Sequence, residues 1–253
     1  MSFLLKHSET TAAKDKKAPA AKDKKAPAAP LAVVTYPTIN DVALETIGPE
    51  NIRILLDRHT GDDRVTTWEL VDDAHGVKVW RGTVDQCEWC AFRAACRINA
   101  RQSVVEQVLL DPHRTLELDE MMEGIVTLRD AGERNRLALR QITSKGQFPI
   151  HGREFLVVTA ASTLEDGRAV IATRSVDVAD VPPLEGYVRA NNYISGYIIE
   201  EKKDTDENVV YCVVTLVAHA DLAGLIPSGI INVLGTSSTV KVLKNLEKIV
   251  TTK

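Results

Sequence analysis

The chain lacks any run of the ~20 apolar residues that a membrane-spanning helix requires; its longest apolar runs, such as 209–218, are strand-sized. It is poor in cysteine, with Cys87, Cys90, Cys96 and Cys212 only. Cys87-Glu88-Trp89-Cys90 has metal-ligand spacing, but no second Cys/His pair stands at finger or ribbon distance. No metal is therefore expected, and the four thiols are read as filling strand positions in a half-buried sheet. Residues 1–5 are too short for the apolar core of a secretory signal, and Lys-rich sequence follows them, so reduced thiols and a cytoplasmic setting are expected. Ser2 stands where N-myristoylation needs a glycine. No His-Glu-x-x-His, phosphate loop or dinucleotide fingerprint appears. Ser195-Gly196 lies in Asn-Tyr-Ile-Ser-Gly, which is not a nucleophile elbow. His219 and Asp221 near a strand end read as a cap or turn, and His59, His75, His113 and His151 as solvated histidines of turns and helix starts. No catalytic residue, no cofactor and no enzymatic activity are expected.

What is present begins with a repeat. The octad Ala12 to Pro19 recurs unchanged as Ala20 to Pro27. It has no aromatic or β-branched residue and cannot bury enough apolar surface to offset its ordering entropy, so residues 1–36 are expected to be a disordered Lys/Ala/Pro-rich tail. The first thirty residues carry seven Lys against Glu9, Asp15 and Asp23, about +4, which leaves −8 for the rest of a chain whose net charge is −4. An acidic body argues against nucleic acid as a partner. The basic tail, with Phe3, Leu4 and Leu5, suits transient contact with an anionic membrane surface.

From residue 37 the apolar spacing becomes periodic. Ile39, Val42, Ala43, Ile47, Ile52, Leu55 and Leu56 fall at helical spacing, with Pro49 marking a break or kink and Gly61 the end. Strands are expected near 68–71 and 77–81 around a turn at 72–76, and near 89–98. A helix over 102–110 and another opening at Asp111-Pro112 follow. Alternation then returns near 125–128, 136–142, 155–163, 170–178, 188–199 and 209–217, with connections short enough for antiparallel pairing. Ile226, Ile230, Val233, Leu234, Val240, Leu243, Leu246 and Val250 predict a long amphipathic helix, weakened in its middle by Gly235 and the 236–239 run. A sheet's inner face needs a cover, so the order implies a curved antiparallel sheet of about nine strands closed by the C-terminal helix, an α+β helix-grip fold over 37–253.

Four local patterns resemble the START family, the steroidogenic-acute-regulatory-related lipid transfer domains. They are Arg153-Glu154-Phe155 at a strand start, Pro182-Pro183 leading to Gly186-Tyr187-Val188-Arg189-Ala190, Asp221-x-x-Gly224-x-x-Pro227 before the last helix, and Asn232 five residues later. The resemblance implies an apolar tunnel, a single lipid ligand, transfer between membranes, a peripheral cytoplasmic protein and a monomer. Sterol-carrying members hold an acid–arginine pair in the tunnel where this chain has Arg140 and Thr159, and Phe148-Pro149 is similar to the phosphatidylcholine-transfer branch. Phospholipid is thus expected over sterol. That branch's phosphate residues fall nearest Arg114 and Glu117, though at a spacing of three rather than four. Phe148, Pro149 and Ile150 are expected to gate the tunnel against Leu225, Ile226, Ile230 and Leu234, while Arg153, Thr159 and Arg189 complete the expected lipid-binding set. Arg153 is also read as the partner of an acid on a neighbouring strand. A lipid-sensing interaction module, and a helix-grip cyclase or hydrolase, are the alternatives, because fold alone does not fix function.

Overall fold

The computed structural model describes residues 44–252, apart from 64–65, 147–149, 205–208, 225–227 and the side chains of 228–234. All of these belong to the larger of the chain's two units, residues 32–253; the Lys/Ala/Pro repeat lies outside the described residues. The chain order is α1 (Leu44–Thr60), β1 (Thr66–Ala74), β2 (Val77–Val84), β3 (Ala91–Ile98), α2 (Gln102–Leu110), α3 (Pro112–Thr115), β4 (Met122–Asp130), β5 (Leu137–Ser144), β6 (Gly152–Thr163), β7 (Ala169–Ser175), β8 (Tyr187–Arg189), β9 (Asn191–Lys203), β10 (Val210–Asp221) and α4 (Ser228–Thr251). Nine strands run in the order β1-β2-β3-β10-β9-β7-β6-β5-β4, and the short β8 pairs with β6 alone. All pairings are antiparallel except β6 with β8, which is parallel.

Strand alternation assigns the two faces. Val79, Ala94, Leu216, Tyr197 and Ile171 stand opposite one another across five successive strands, and Val77, Cys96, Val214, Ile199 and Ala169 form the next such row. These rows make the inner face, which α2 and α4 cover with Val105, Val108, Leu109, Leu243 and Leu246. Val170, Ala172, Ile194, Ile198 and Val217 point the other way and pack on α1 through Leu55. Ile47 seals a second outer cluster with Leu139, Leu156 and Val158. Each such side chain, taken fully out of water, contributes about 1.5–3 kcal/mol.

Several local expectations are corrected. Pro49 does not break α1. The helix is held on both sides of it: Gly48 lies against Leu137 and Ala160, and Asn51 Nδ2 donates to the Val158 carbonyl at 3.0 Å. The first hairpin turns at His75-Gly76, both with positive φ, rather than across 72–76. Two left-handed residues match the strand twist, which is the geometry that favours two-residue hairpins. The run at 188–199 is two strands, because Tyr187–Arg189 pairs with β6, and the Ala190 amide still bonds the Glu154 carbonyl, whereas Asn191 onward pairs with β10 and β7. Helix α4 continues through Gly235 and Thr236–Thr239. A Cβ at 235 would overlap the Phe92 ring, so the glycine lets the helix close on β3. Cys96 and Cys212 do fill buried strand positions, and burial pushes their thiols up to about 11 and about 12. Cys87 and Cys90 instead lie half-buried in the β2–β3 connection.

Candidate functional site: a cavity under the C-terminal helix

The inner face is not filled completely. A cavity of about 270 Å³ remains between the sheet (Ser195, Tyr197, Leu216, Ala218), the α3–β4 connection (Thr115, Leu118, Asp119, Met122) and α4 (Ser238, Thr239, Val242). That volume is near the lower end of the ~300–1,000 Å³ typical of ligand pockets. Its wall is mainly apolar, with a few hydroxyls and one carboxylate. Asp119 Oδ1 accepts the Met121 amide at 2.9 Å, which fixes the turn into β4. Thr115 Oγ1 donates to the Asp111 carbonyl, and Thr239 Oγ1 to the Thr236 carbonyl. Burial, and after it the Asp119 charge, raise the Tyr197 phenol above its ordinary value, so tyrosine stays neutral.

Arg140 lies on the same inner face, 4% exposed, and neither it nor Thr159 is among the residues that line the cavity. Its Nη2 reaches the Leu110 carbonyl at the end of α2 and the Asn135 carbonyl, at 3.4 and 3.3 Å. Its Nε has no hydrogen-bond partner among the described residues. Burial lowers its affinity for the proton, and Asp130 partly opposes that. Thr159, one strand over, is buried with its hydroxyl 3.2 Å from that of Thr173.

The other expected residues are placed as follows. Arg114 and Glu117 are half-exposed and face each other at 3.5 Å, and neither lines the cavity. Arg189 lies towards the outer face, paired with the fully buried Glu154 at 3.0 Å, and borders a separate hollow of about 420 Å³ beneath the β7–β8 connection with Pro182, Pro183, Val176 and Val178. Among the described residues Arg153 pairs with no acid on a neighbouring strand; its guanidinium donates to the carbonyls of His151, Leu222 and Ala223. Ile150 is exposed. Phe148, Pro149, Leu225 and Ile226 lie outside the described residues, and Ile230 and Leu234 are on α4 with side chains outside them.

Asp119, Tyr197, Leu216 and Thr239 are not among the expected site residues, and Ser195 is considered in the sequence only as a rejected nucleophile. The period-two register from Ile171 and Ile199 could have put Tyr197 inside; nothing in the pattern marked Asp119. His75, His113 and His151 are exposed as expected, whereas two other histidines differ. His59 is held down to about 4 by burial, then by Arg93 and Arg168. His219 is 2% exposed on the outer face, stacked on Tyr193, rather than a turn residue. Asp221 does make a turn, accepting the Ala223 amide at 2.6 Å.

A cavity gripped between the inner face of a curved antiparallel sheet and a C-terminal helix defines a helix-grip ligand-binding domain. The START domain family model matches residues 53–252, and the chain belongs to that family. Among solved structures, human STARD10 superposes with a TM-score of 0.65 at 17% identity, over 87% of this chain and 83% of that one. Human StAR-related lipid transfer protein 5 gives 0.66 at 18%, over 81% and 97%. A STAR-related lipid transfer protein from Xanthomonas axonopodis gives 0.59 at 20%, over 73% and 99%. An uncharacterized protein of Pseudomonas aeruginosa is 23% identical over 186 residues, 74% of this chain and 88% of its own length. Among the described residues no helix is long and apolar enough to cross a membrane.

Proposed function

We propose that the chain binds a single lipid molecule in the inner cavity and carries it between membranes, with phospholipid preferred to sterol. The observation that carries this reading is the mainly apolar cavity between α4 and the inner face, in a domain whose structural relatives include proteins named for lipid transfer. Leu118, Leu216 and Val242 offer apolar wall to an acyl chain, at about 0.8 kcal/mol for each methylene removed from water. The lipid would pass between the β5–β6 connection, where Phe148, Pro149 and Ile150 lie, and the start of α4.

Support for phospholipid comes from Arg140 and Thr159. The sterol carriers' acid–arginine pair is replaced here by a buried guanidinium with an idle N–H and no carboxylate bonded to it among the described residues. Such a group suits a phosphate or ester oxygen better than a hydroxyl that needs an acid. Competition binding with labelled phosphatidylcholine and labelled sterol tests the preference. Phospholipid should displace the labelled phospholipid and sterol should not. Tight sterol binding without phospholipid uptake would reverse the assignment, and binding of neither would end the carrier reading.

A further inference from the structure

Cys87 and Cys90 stand three residues apart in the β2–β3 connection, both half-buried and both free. Among the described residues no third His, Cys, Asp or Glu completes a metal-holding group with them. The connection fixes Cys87 from its backbone outward. The Cys87 amide donates to the Val84 carbonyl at 3.1 Å, closing a turn in which Gln86 is left-handed at φ 56°. A glutamine disfavours that conformation, so the surroundings hold the turn. Trp89, between the two cysteines, is buried and anchors the chain, and its carbonyl lies 3.0 Å from His219 Nε2. Arg58 donates to His219 Nδ1 at 2.6 Å, so the ring's proton is on Nε2. That proton faces the Trp89 carbonyl and also the Cys87 sulfur, which is 3.6 Å from Nε2. The Tyr193 phenol, stacked on His219, is hydrogen-bonded to Cys87 as well. Burial, and after it the Cys87 and Asp221 charges, raise that phenol, so it keeps its proton to donate. Two donors thus converge on one sulfur. Cys96 and Cys212 differ: burial holds their thiols up at about 11 and about 12, and Cys212 donates to the Ala100 carbonyl.

We propose that Cys87 and Cys90 form a peroxide-reactive dithiol, in which Cys87 is the attacking sulfur and Cys90 the resolving one. Thiolate is the nucleophile in such chemistry, and an N–H and an O–H already face the Cys87 sulfur. That sulfur attacks one oxygen of hydrogen peroxide. The S–O bond forms as the O–O bond breaks, and the departing hydroxide takes up the thiol proton and leaves as water. Cys87 has then lost two electrons to the peroxide and is a sulfenic acid. Cys90 attacks the same sulfur, the S–S bond forms as the S–O bond breaks, and the Cys90 proton leaves with the hydroxide as a second water. The surroundings order the two steps. Burial raises the Cys90 thiol, Arg81 opposes this, and the Cys87 charge adds to it. The first step replaces that charge with a neutral sulfenic acid and leaves Arg81 to favour the Cys90 thiolate. Half burial of both sulfurs admits a small oxidant more readily than a bulky disulfide. His219 packs on the outer face, so the dithiol lies away from the inner cavity and reacts whether or not a lipid is carried.

The test uses the full, reduced chain and hydrogen peroxide. Two of the four free thiols should be lost, and peptide mapping should find one disulfide joining Cys87 to Cys90 within a single chain. Cys90→Ser should stop at a sulfenic acid on Cys87 that dimedone captures. Cys87→Ser should leave Cys90 reduced over the same time. In the folded chain Cys87 should react first, and in urea, where the donors are scattered, no faster than the other thiols. Tyr193→Phe, which keeps the ring on His219, should slow the first step by roughly tenfold, the worth of one hydrogen bond to an ionised group. The comparison of folded and urea-unfolded wild type serves if the phenylalanine variant does not fold. A sulfenic acid formed first on Cys90, equal loss of all the thiols in the folded chain, or disulfides between chains would overturn the dithiol. A Tyr193→Phe chain that reacts like wild type would overturn the part given to the donors. Oxidation by glutathione disulfide but not by hydrogen peroxide would overturn peroxide as the substrate.

Discussion

Arg58 Nη1 lies 2.6 Å from His219 Nδ1, and His219 Nε2 lies 3.0 Å from the Trp89 carbonyl. Arginine only donates, so Nδ1 accepts, and the proton sits on Nε2 and is donated to Trp89. A second proton on Nδ1 would face the guanidinium inside a buried site. Burial first, and then Arg58, hold the His219 imidazole down to about 3. The folded value is thus below the unfolded one of about 6.5. Between those two values the unfolded chain binds a proton that the folded chain refuses. Stability is fully present above pH ~6.5 and falls as pH drops through that window, by about 2 kcal/mol at pH 5. Urea unfolding at pH 7 and pH 5 should show a loss in His219→Gln about half that of the wild type, because His59 contributes a loss of similar size. A residual slope of the same sign remains from His59, whose value of about 4 is also below the ordinary one. Equal losses in both proteins would mean that His219 is protonated in the fold. Glu154 makes the complementary case of a buried acid fully committed to structure. Its carboxylate accepts from Gln141 Nε2, the Leu184 amide and Arg189 Nε at 2.7–3.0 Å. Glu154→Ala strands the Arg189 charge and the Leu184 amide, and is expected to lower unfolding free energy by about 3 kcal/mol.

Among the elements, α4 shows how far pattern alone can be trusted. Its apolar spacing marked the helix, and Leu243 and Leu246 are fully buried as that spacing required. Gly235 looked like a weakness only because propensity counts the cost of a missing side chain and cannot see the Phe92 ring that takes the space. Gly235→Ala should therefore destabilise the domain, by about 1–3 kcal/mol through overpacking, although alanine is the better helix former. Phe92→Leu should offset part of that loss, and a double-mutant cycle by chemical denaturation measures the coupling. Strictly additive losses would show that the two residues do not share the space. Strand alternation was equally legible, because each face packs against a helix and the register is forced. The short parallel β8 was not, since it rests on tertiary hydrogen bonds from Glu154 and pairing with Gly152–Glu154 rather than on any periodicity of its own.

For the whole molecule, the helix-grip architecture was readable because element order and alternation leave one open face and one long amphipathic helix to cover it. The lining of the cavity was read less well. Family-derived positions put the head-group contact at Arg114 and Glu117, which pair on the surface, whereas the wall is made where a connection carrying Asp119 meets Tyr197 and Thr239. No local sequence spacing reports that three-way meeting. The octad repeat offers no aromatic or β-branched residue to pack, so deleting residues 1–30 should leave the melting temperature within a few degrees. A larger fall would place the tail on the body. The entrance permits a sharper test. Arg153 bonds the carbonyls of His151, Leu222 and Ala223, and in the proposed carrier the β5–β6 connection and the β10–α4 loop are the two sides expected to part. A cysteine pair joining 150–152 to 222–224, chosen with Cα atoms within about 7 Å, would fix them together without touching the core. Cys87 and Cys90 should be replaced in the same chain, since both are half-buried free thiols. The oxidised protein should retain its melting temperature and any lipid already bound, and should stop exchanging lipid between vesicles until reductant is added. Separating the apolar groups there exposes area at about 25 cal/mol per Å² in water, which a membrane interface removes, so the uncrosslinked protein should exchange far faster on contact with vesicles than through solution. Exchange by the oxidised protein at the reduced rate would put the entrance elsewhere on the sheet.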